Sequence, residues 1–391
     1  MMNPSVRASR FRSLPPVALV ALSLMCARPI ASAGERGVPG ASVPTQPSRS
    51  TGVVLKWTWA EGDARRYEVE ESMTERADDT TKRSGRTITY AQRVTSVDAS
   101  GVATVEQTFE RVRAWLEEDG TRVDYPRDPK AREHPGIAPY AALEGGRFTF
   151  QVDVEGKVLR VDGLDELLRR AFAELGNDPN GGAGNAPGMP DLQSMVLGES
   201  GVLTPEAMRE WVEQGLRVVP GREVRRGESW RVEASQDLPF VGSIDTGRTF
   251  TLSRLQRGKD GQIATIEMES GESASRRNAP AKRSTPRRSP GTGRQPAPDP
   301  NDPAAMLDEM GMSFTLVERS MTGTFRFDTG AGQVESGSTR QVMEWEVRMP
   351  DLEALLNPDA RNNRGGGGGG DSVMRYRIEQ DSRLRMLGPG A

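Results

Sequence analysis

The 391-residue chain contains one histidine, His134, and one cysteine, Cys26. His134 sits in Arg132-Glu133-His134-Pro135-Gly136, a loop context in which a lone imidazole is ordinarily solvated. No nucleophile elbow accompanies it, because Gly198-Glu199-Ser200-Gly201 lacks the G-x-S-x-G spacing. A zinc site would have to be built mostly from carboxylates, which is uncommon. Asn177-Asp178-Pro179-Asn180-Gly181 offers oxygens for calcium but lacks the glutamate that completes such a loop. Glu117-Glu118-Asp119 are acids of the type used in glycoside hydrolysis, with no second acid placed to complement them. The glycine-rich stretches Asn180 to Gly188 and Gly365 to Gly370 lack the Lys-Ser/Thr ending of a phosphate loop. These residues predict no catalytic set, no metal and no cofactor.

Two other sets carry binding chemistry. The aromatic residues Trp57, Trp59, Tyr67, Phe109, Phe148 and Phe150 can line an apolar ligand face if the sheet that bears them is curved and open, or pack as core if it is not. Arg276, Arg277, Lys282, Arg283, Arg287, Arg288 and Arg294 form an acid-free basic insert. Such a charge block is either a solvated loop or an arm for a partner chain or an anionic polymer. It has no interleaved aromatics, so it is not a single-strand nucleic-acid platform. Met195, Met208, Met306, Met310 and Met312 add pliable apolar surface near the helices and the insert.

The elements that position these residues are mostly strands. Val53 to Trp59 alternates with Val53, Leu55, Trp57 and Trp59 on one face, and Tyr67 and Val69 continue the pattern after a Gly62-Asp63 turn. Thr87 to Val97 and Val102 to Val112 flank the turn Asp98-Ala99-Ser100-Gly101, and Arg147 to Val154 and Lys157 to Val161 form a hairpin about Glu155-Gly156. Leu164, Leu167, Leu168, Ala171, Phe172 and Leu175 have helical spacing, and Gly176 ends that helix. A second helix starts at Thr204 with Pro205 in its first turn. Strands resume at Ser229 to Val232, Thr249 to Leu255, Gln262 to Met268, Met312 to Arg319, Met321 to Phe327, Gln333 to Val347 and Val373 to Arg383.

The N-terminus reads as an address. Arg7, Arg10 and Arg12 precede an apolar run from Leu14 to Met25, and Ala31-Ser32-Ala33 is a signal-peptidase site. Cleavage there removes Cys26, whose lipidation is the minority alternative, and takes the formal charge from −3 to −7 by removing four arginines. A mildly acidic mature chain does not suit general binding to nucleic acid. No run of about 18 apolar residues exists to cross a membrane as a helix.

Three blocks recur in order. Gly62-Asp63 before Tyr67-Glu68-Val69 matches Gly227-Glu228 before Trp230-Arg231-Val232. Arg93 to Val105 resembles Leu252 to Ile266, and Arg147 to Val158 resembles Thr324 to Val334. This order implies duplication. The exported N-terminus, the Gly62 to Val69 strand, the Val97 to Ala103 turn and the Phe148 to Val158 hairpin together resemble a family of exported bacterial proteins of unknown function. The architecture is also similar, at a distance, to lipoprotein-carrier half-barrels, which hold acyl chains on a concave face. That likeness implies an apolar ligand such as a lipid.

The expected fold is mainly β (α+β): two similar curved antiparallel sheets with long strands, two central helices and disordered inserts. The expected organisation is a signal peptide at 1–33, a disordered linker at 34–52 and a first β-rich half with a helix at 53–175. A loop and second helix follow at 176–220, then a second half at 221–391 with inserts at 272–303 and 357–371. The expected function is a non-enzymatic, periplasmic or extracellular binding protein holding an apolar ligand. The alternative is a structural or interaction protein of the envelope with no ligand cavity. An enzyme with an unrecognised carboxylate site ranks third.

Overall fold

The structure, a computed structural model, describes residues 52–78, 80–134, 136–167, 209, 212–213, 215–233, 235–238, 242–245, 247–258, 261–270, 313–349 and 372–388. The expected signal peptide, Cys26, the expected linker up to residue 51, the basic insert, the Asn177 to Gly188 loop, Ser200, the six glycines from Gly365 and the five methionines named above lie outside them.

The first half comprises β1 (Val53–Leu55), β2 (Ala64–Ala77), β3 (Thr80–Val97), β4 (Ala103–Glu118), β5 (Thr121–Tyr125), α1 (Ala138–Leu143), β6 (Arg147–Val152) and β7 (Val158–Asp162). The second comprises β8 (Arg222–Val224), β9 (Ser229–Val232), β10 (Ser235–Leu238), β11 (Gly242–Asp245), β12 (Arg248–Arg257), β13 (Gln262–Ser270), β14 (Ser313–Asp328), β15 (Gln333–Met349) and β16 (Ser372–Leu387). Residues 164–167 are helical where the first central helix is expected to begin, and 212–213 and 215–216 are helical within the second.

The fold is mainly β and antiparallel, and the two halves are joined edge to edge. A 12-stranded sheet runs β7-β6-β4-β3-β2-β16-β15-β14-β13-β12-β9, with β5 also on β4. The join is the β2–β16 ladder, from Arg66 opposite Leu387 to Ala77 opposite Tyr376. Separate ribbons pair β1 with β8 and β10 with β11.

Both halves run across this sheet in the same sense, and their hydrogen bonds repeat. Gly62, at φ +87°, donates to Val94 O (3.0 Å), and Val94 donates back to Asp63 O (2.9 Å). Gly227, at φ +83°, donates to Leu252 O (2.7 Å), and Leu252 donates back to Glu228 O (3.0 Å). Each partner is followed by a bulge, between Val94 and Ser96 against β4 and between Leu252 and Arg254 against β13. Further along, Val105 pairs with Phe150 and Ile266 with Phe325. A second bulge follows in each case, between Gln151 and Val152 and between Arg326 and Phe327. Asp153 and Asp328 then turn the chain, each Oδ1 accepting a backbone N–H two residues on (3.0 Å from Glu155, 2.8 Å from Gly330). The register therefore equates Phe150 with Phe325.

Three expectations change in detail. The two segments Met312 to Arg319 and Met321 to Phe327 form the single strand β14, because a register shift between Leu316 and Glu318 absorbs the break in alternation. Of Val53 to Trp59 only the first three residues pair in a ribbon. Trp57 and Thr58 instead donate to the hairpin turns of the two halves, Val154 O (2.9 Å) and Gly332 O (3.1 Å). A 3-10 turn at Pro129–Glu133 and α1 cover part of the sheet; both are too short to show helical periodicity.

The outer face is charged. Arg377 bonds Glu344 (2.9 Å), Arg340 and Arg76 both reach Glu379 (3.1 Å each), and Arg375 reaches Glu346 (3.1 Å). Such rows are hydrated and do not suit contact with lipid hydrocarbon. No helix among the described residues is long and apolar enough to cross a membrane.

Candidate functional site

The six aromatic residues do come together, and they fill the space between them. Trp57, Trp59, Tyr67, Phe109, Phe148 and Phe150 are between 1% and 8% exposed. Trp57 stacks on Trp59 (5.5 Å between centroids) and meets Phe327 edge-on (5.7 Å). Tyr67 stacks on Tyr90 (5.5 Å), and Phe148 lies 6.0 Å from both Phe109 and Phe150. Arg65 covers Trp59 (4.5 Å), and Trp57 Nε1 donates to Leu216 O (2.7 Å). A ligand face would leave ring faces open. Here one end of the inner face is sealed by rings from both halves, so these residues are core packing rather than a ligand-lined surface.

His134 is half-buried, and its Nδ1 accepts from Gly136 N (3.1 Å) at the end of the 3-10 turn. Burial, then the positive charge of Lys82, pushes its pKa down, against the pull of Glu118. Adjacent residues of a strand face opposite ways, so Glu117 and Glu118 do not converge. Glu117 pairs with Arg83 (3.8 Å) and Glu118 with Lys82 (3.4 Å). Among the described residues no group of three or more His, Cys, Asp or Glu side chains is placed to hold a metal.

Beyond the sealed end the inner face changes character. Register places Glu71, Arg86, Ser382, Thr339 and Gly323 in one cross-strand row. The next holds Met73, Ser84, Gln380, Gln341 and Met321, and the one after it Glu75, Lys82, Ile378, Met343 and Arg319. Arg86 forms an ion pair with Glu71, donates to Tyr140 Oη and lies over that ring (4.7 Å). Burial, chiefly, pushes the Tyr140 phenol up to about 12. Tyr376 Oη donates to Glu75 Oε2 (2.8 Å). Met343, Trp345 and Ile378 form a second apolar cluster, with Met73, Leu316 and Tyr376 against it. Between the charged and apolar parts, Gln380 Oε1 is buried and has no hydrogen-bond partner among the described residues. A buried orphan acceptor calls for a donor from water or ligand. The surface thus offers a held ion pair, phenols and amides beside methionines and a tryptophan, which suits a molecule with polar and apolar parts.

Glu71, Glu75, Arg86, Tyr140 and Tyr376 are not among the residues that type and spacing single out. Their signal was present in β2, where Tyr67, Val69, Glu71, Met73 and Glu75 share the inward phase, so two acids alternate with apolar residues on the buried side.

Burial raises the pKa of Glu75 above its usual 4.5, with Glu118 adding to the rise and the Tyr376 hydrogen bond and Lys82 opposing it. The folded state therefore holds this proton more tightly than the unfolded one. The group's contribution is fully present below about pH 4.5 and is lost as pH rises through the folded pKa. Glu75→Gln keeps an acceptor for Tyr376 and removes the titration. Urea midpoints from pH 4 to 8 are expected to show the native protein losing stability relative to this variant as pH rises. Parallel curves would show that the Glu75 carboxylate is solvated.

A family model described as a family of unknown function (DUF6263) matches residues 100–334. No curated protein matches the chain. Among solved structures, a lipovitellin chain studied for its lipid–protein interactions aligns with a TM-score of 0.35 and 10% identity over 85% of this chain; the alignment spans 26% of the lipovitellin chain, about a quarter of its length. DynF from the dynemicin biosynthesis pathway of Micromonospora chersina aligns with a TM-score of 0.19 and 9% identity over 91% of this chain and 94% of its own. Pseudomonas aeruginosa OccK11 (OpdR) aligns with a TM-score of 0.16 and 8% identity over 84% of this chain and 98% of its own. None of these likenesses bears on function, which has to be argued from the chain's own residues.

Proposed function

Given that the chain belongs to the DUF6263 family of unknown function, we propose that it is a non-enzymatic binding protein holding an amphipathic ligand on the inner face of β2, β3 and β14–β16. The carrying observation is the change along that face from sealed rings to rows mixing Glu71, Arg86, Gln380 and Gln341 with Met73, Met321 and Met343. A core built for stability alone would avoid leaving a buried polar atom without a partner, as Gln380 Oε1 is among the described residues. Methionines adapt to irregular apolar shapes, which suits acyl chains of varied length. The same reading places the protein outside the cytoplasm, with residues 1–33 as a cleaved signal. A lipid or comparable amphiphile is the ligand class, and no cofactor is involved.

A second reading has its own support. The six-ring core is closed, and if the remaining inner face is closed too, the protein is a structural or interaction component of the envelope. Native mass spectrometry of protein from the extracytoplasmic fraction, followed by solvent extraction, separates the two. The expected result is a mature chain starting at Gly34, carrying a stoichiometric lipid-sized adduct that Trp345→Ala depletes. An adduct-free mass with nothing extractable would overturn the binding reading in favour of the structural one.

A further inference from the structure

The outer face carries a pocket that the inner-face reading does not use. It lies between β4 and the β5 segment, has a volume of about 380 Å³ and is lined by Thr87, Arg113, Trp115, Asp124, Pro126 and Arg127, among others. Trp115 forms a fixed wall. It sits opposite Gly85, where an added Cβ would lie 2.4 Å from the indole Nε1, so the indole can lie across β3 only because residue 85 has no side chain. Arg122 holds the ring from its other side at 4.3 Å.

Charge gives the pocket its selectivity. Arg122 engages both oxygens of Asp124 (3.0 Å each), and this hydrogen-bonded pairing holds the Asp124 carboxyl below the usual carboxylate range. The one acid lining the pocket is therefore satisfied. Among the described residues the Arg113 guanidinium makes no side-chain hydrogen bond or ion pair, and the Arg127 guanidinium acts on Asp124 through its charge without a hydrogen bond. Two guanidinium groups and the Thr87 hydroxyl remain as donors around a space larger than one oxyanion. Guanidinium forks match tetrahedral oxyanions.

We propose that this pocket binds a phosphate group carried on a larger polar molecule, either a free phosphomonoester or a lipid headgroup. The pocket is independent of the inner face, so either proposal can fail without the other.

Calorimetric titration at 0.15 M salt with inorganic phosphate and glycerol 3-phosphate, and sedimentation with vesicles containing phosphatidylglycerol, test it. Saturable binding of glycerol 3-phosphate at one site is expected. The double variant Arg113→Gln/Arg127→Gln is expected to weaken it by about tenfold or more. Arg257→Gln, an exposed arginine in the other half, is expected to leave it unchanged. Vesicle binding that exceeds binding of the free ester and is lost in the same double variant identifies a headgroup; binding of the ester alone identifies a soluble metabolite. Absence of saturable binding to every phosphate probe, or binding unchanged in the double variant at an unaltered urea midpoint, would overturn the proposal.

Discussion

Trp57→Ala is expected to destabilise the protein by about 3–5 kcal/mol, the range for removing a large buried aromatic side chain. Trp57 is 4% exposed and packs against Trp59 and Phe327, the latter from the other half. Its Nε1 donates to Leu216 O at 2.7 Å, and its backbone N–H donates to Val154 O at 2.9 Å, one residue before Thr58 reaches Gly332 O. One segment thus ties the β6–β7 turn, the 216 region and the β14–β15 turn together. Truncation leaves a cavity where the two halves meet and strands the Leu216 carbonyl. Trp57→Phe keeps most of the apolar contact and gives up the donor with a small part of the ring, so a smaller loss of about 1–2 kcal/mol is expected. Urea unfolding followed by far-UV circular dichroism measures both. Equal, small losses in the two variants would show that the halves are held by the β2–β16 ladder alone.

Gly156→Ala is expected to cost more than Gly62→Ala although both sites have nearly the same backbone. Gly156 has φ +83° and Gly62 φ +87°, so alanine pays left-handed strain at each, about 1–2 kcal/mol. Around Gly62 nothing lies within 4 Å of the added Cβ. At Gly156 it would lie 2.4 Å from Leu216 O and 2.7 Å from Trp57 Nε1, inside the hydrogen bond that anchors Trp57. Backbone and an indole in a packed core cannot step aside, so overpacking adds about 1–3 kcal/mol. Matching losses in the two variants, read from urea midpoints at equal m-values, would mean that the 216 region does not sit against this turn.

Much of the strand content was legible because alternation is a local property. Val105, Phe109, Phe148, Phe150 and Val152 point inward, as their spacing implies, and all are buried. The three recurring blocks were legible for the same reason, since Gly-acid turns and Asp turns are short-range chemistry. Their detailed equivalence was not. Phe150 corresponds to Phe325 through the ladders Val94–Val105–Phe150 and Leu252–Ile266–Phe325, and long-range register of that kind leaves no mark on the residue types themselves. Strand lengths were underestimated for a related reason: β3 begins at Thr80 with polar residues on both faces, and pairing with its neighbours rather than its own pattern keeps it extended.

The candidate sites divide along the same line. The sequence by itself determined a mainly β, antiparallel chain with aromatic residues on the buried phase of its strands, a single histidine and a single cysteine, and a repeated hairpin plan. Only the tertiary structure decided that the first and last long strands pair and merge the halves into one sheet. That pairing brings Trp57 against Phe327 and turns the aromatic set into core. It also lines up Glu71, Arg86, Gln380 and Met343, residues up to about 300 positions apart, on the inner face. The outer pocket depends equally on contact, through the fit of Trp115 over Gly85 and the return of β5 along β4. The face a side chain occupies follows from its own strand, whereas what it meets there follows from long-range pairing that no local pattern encodes.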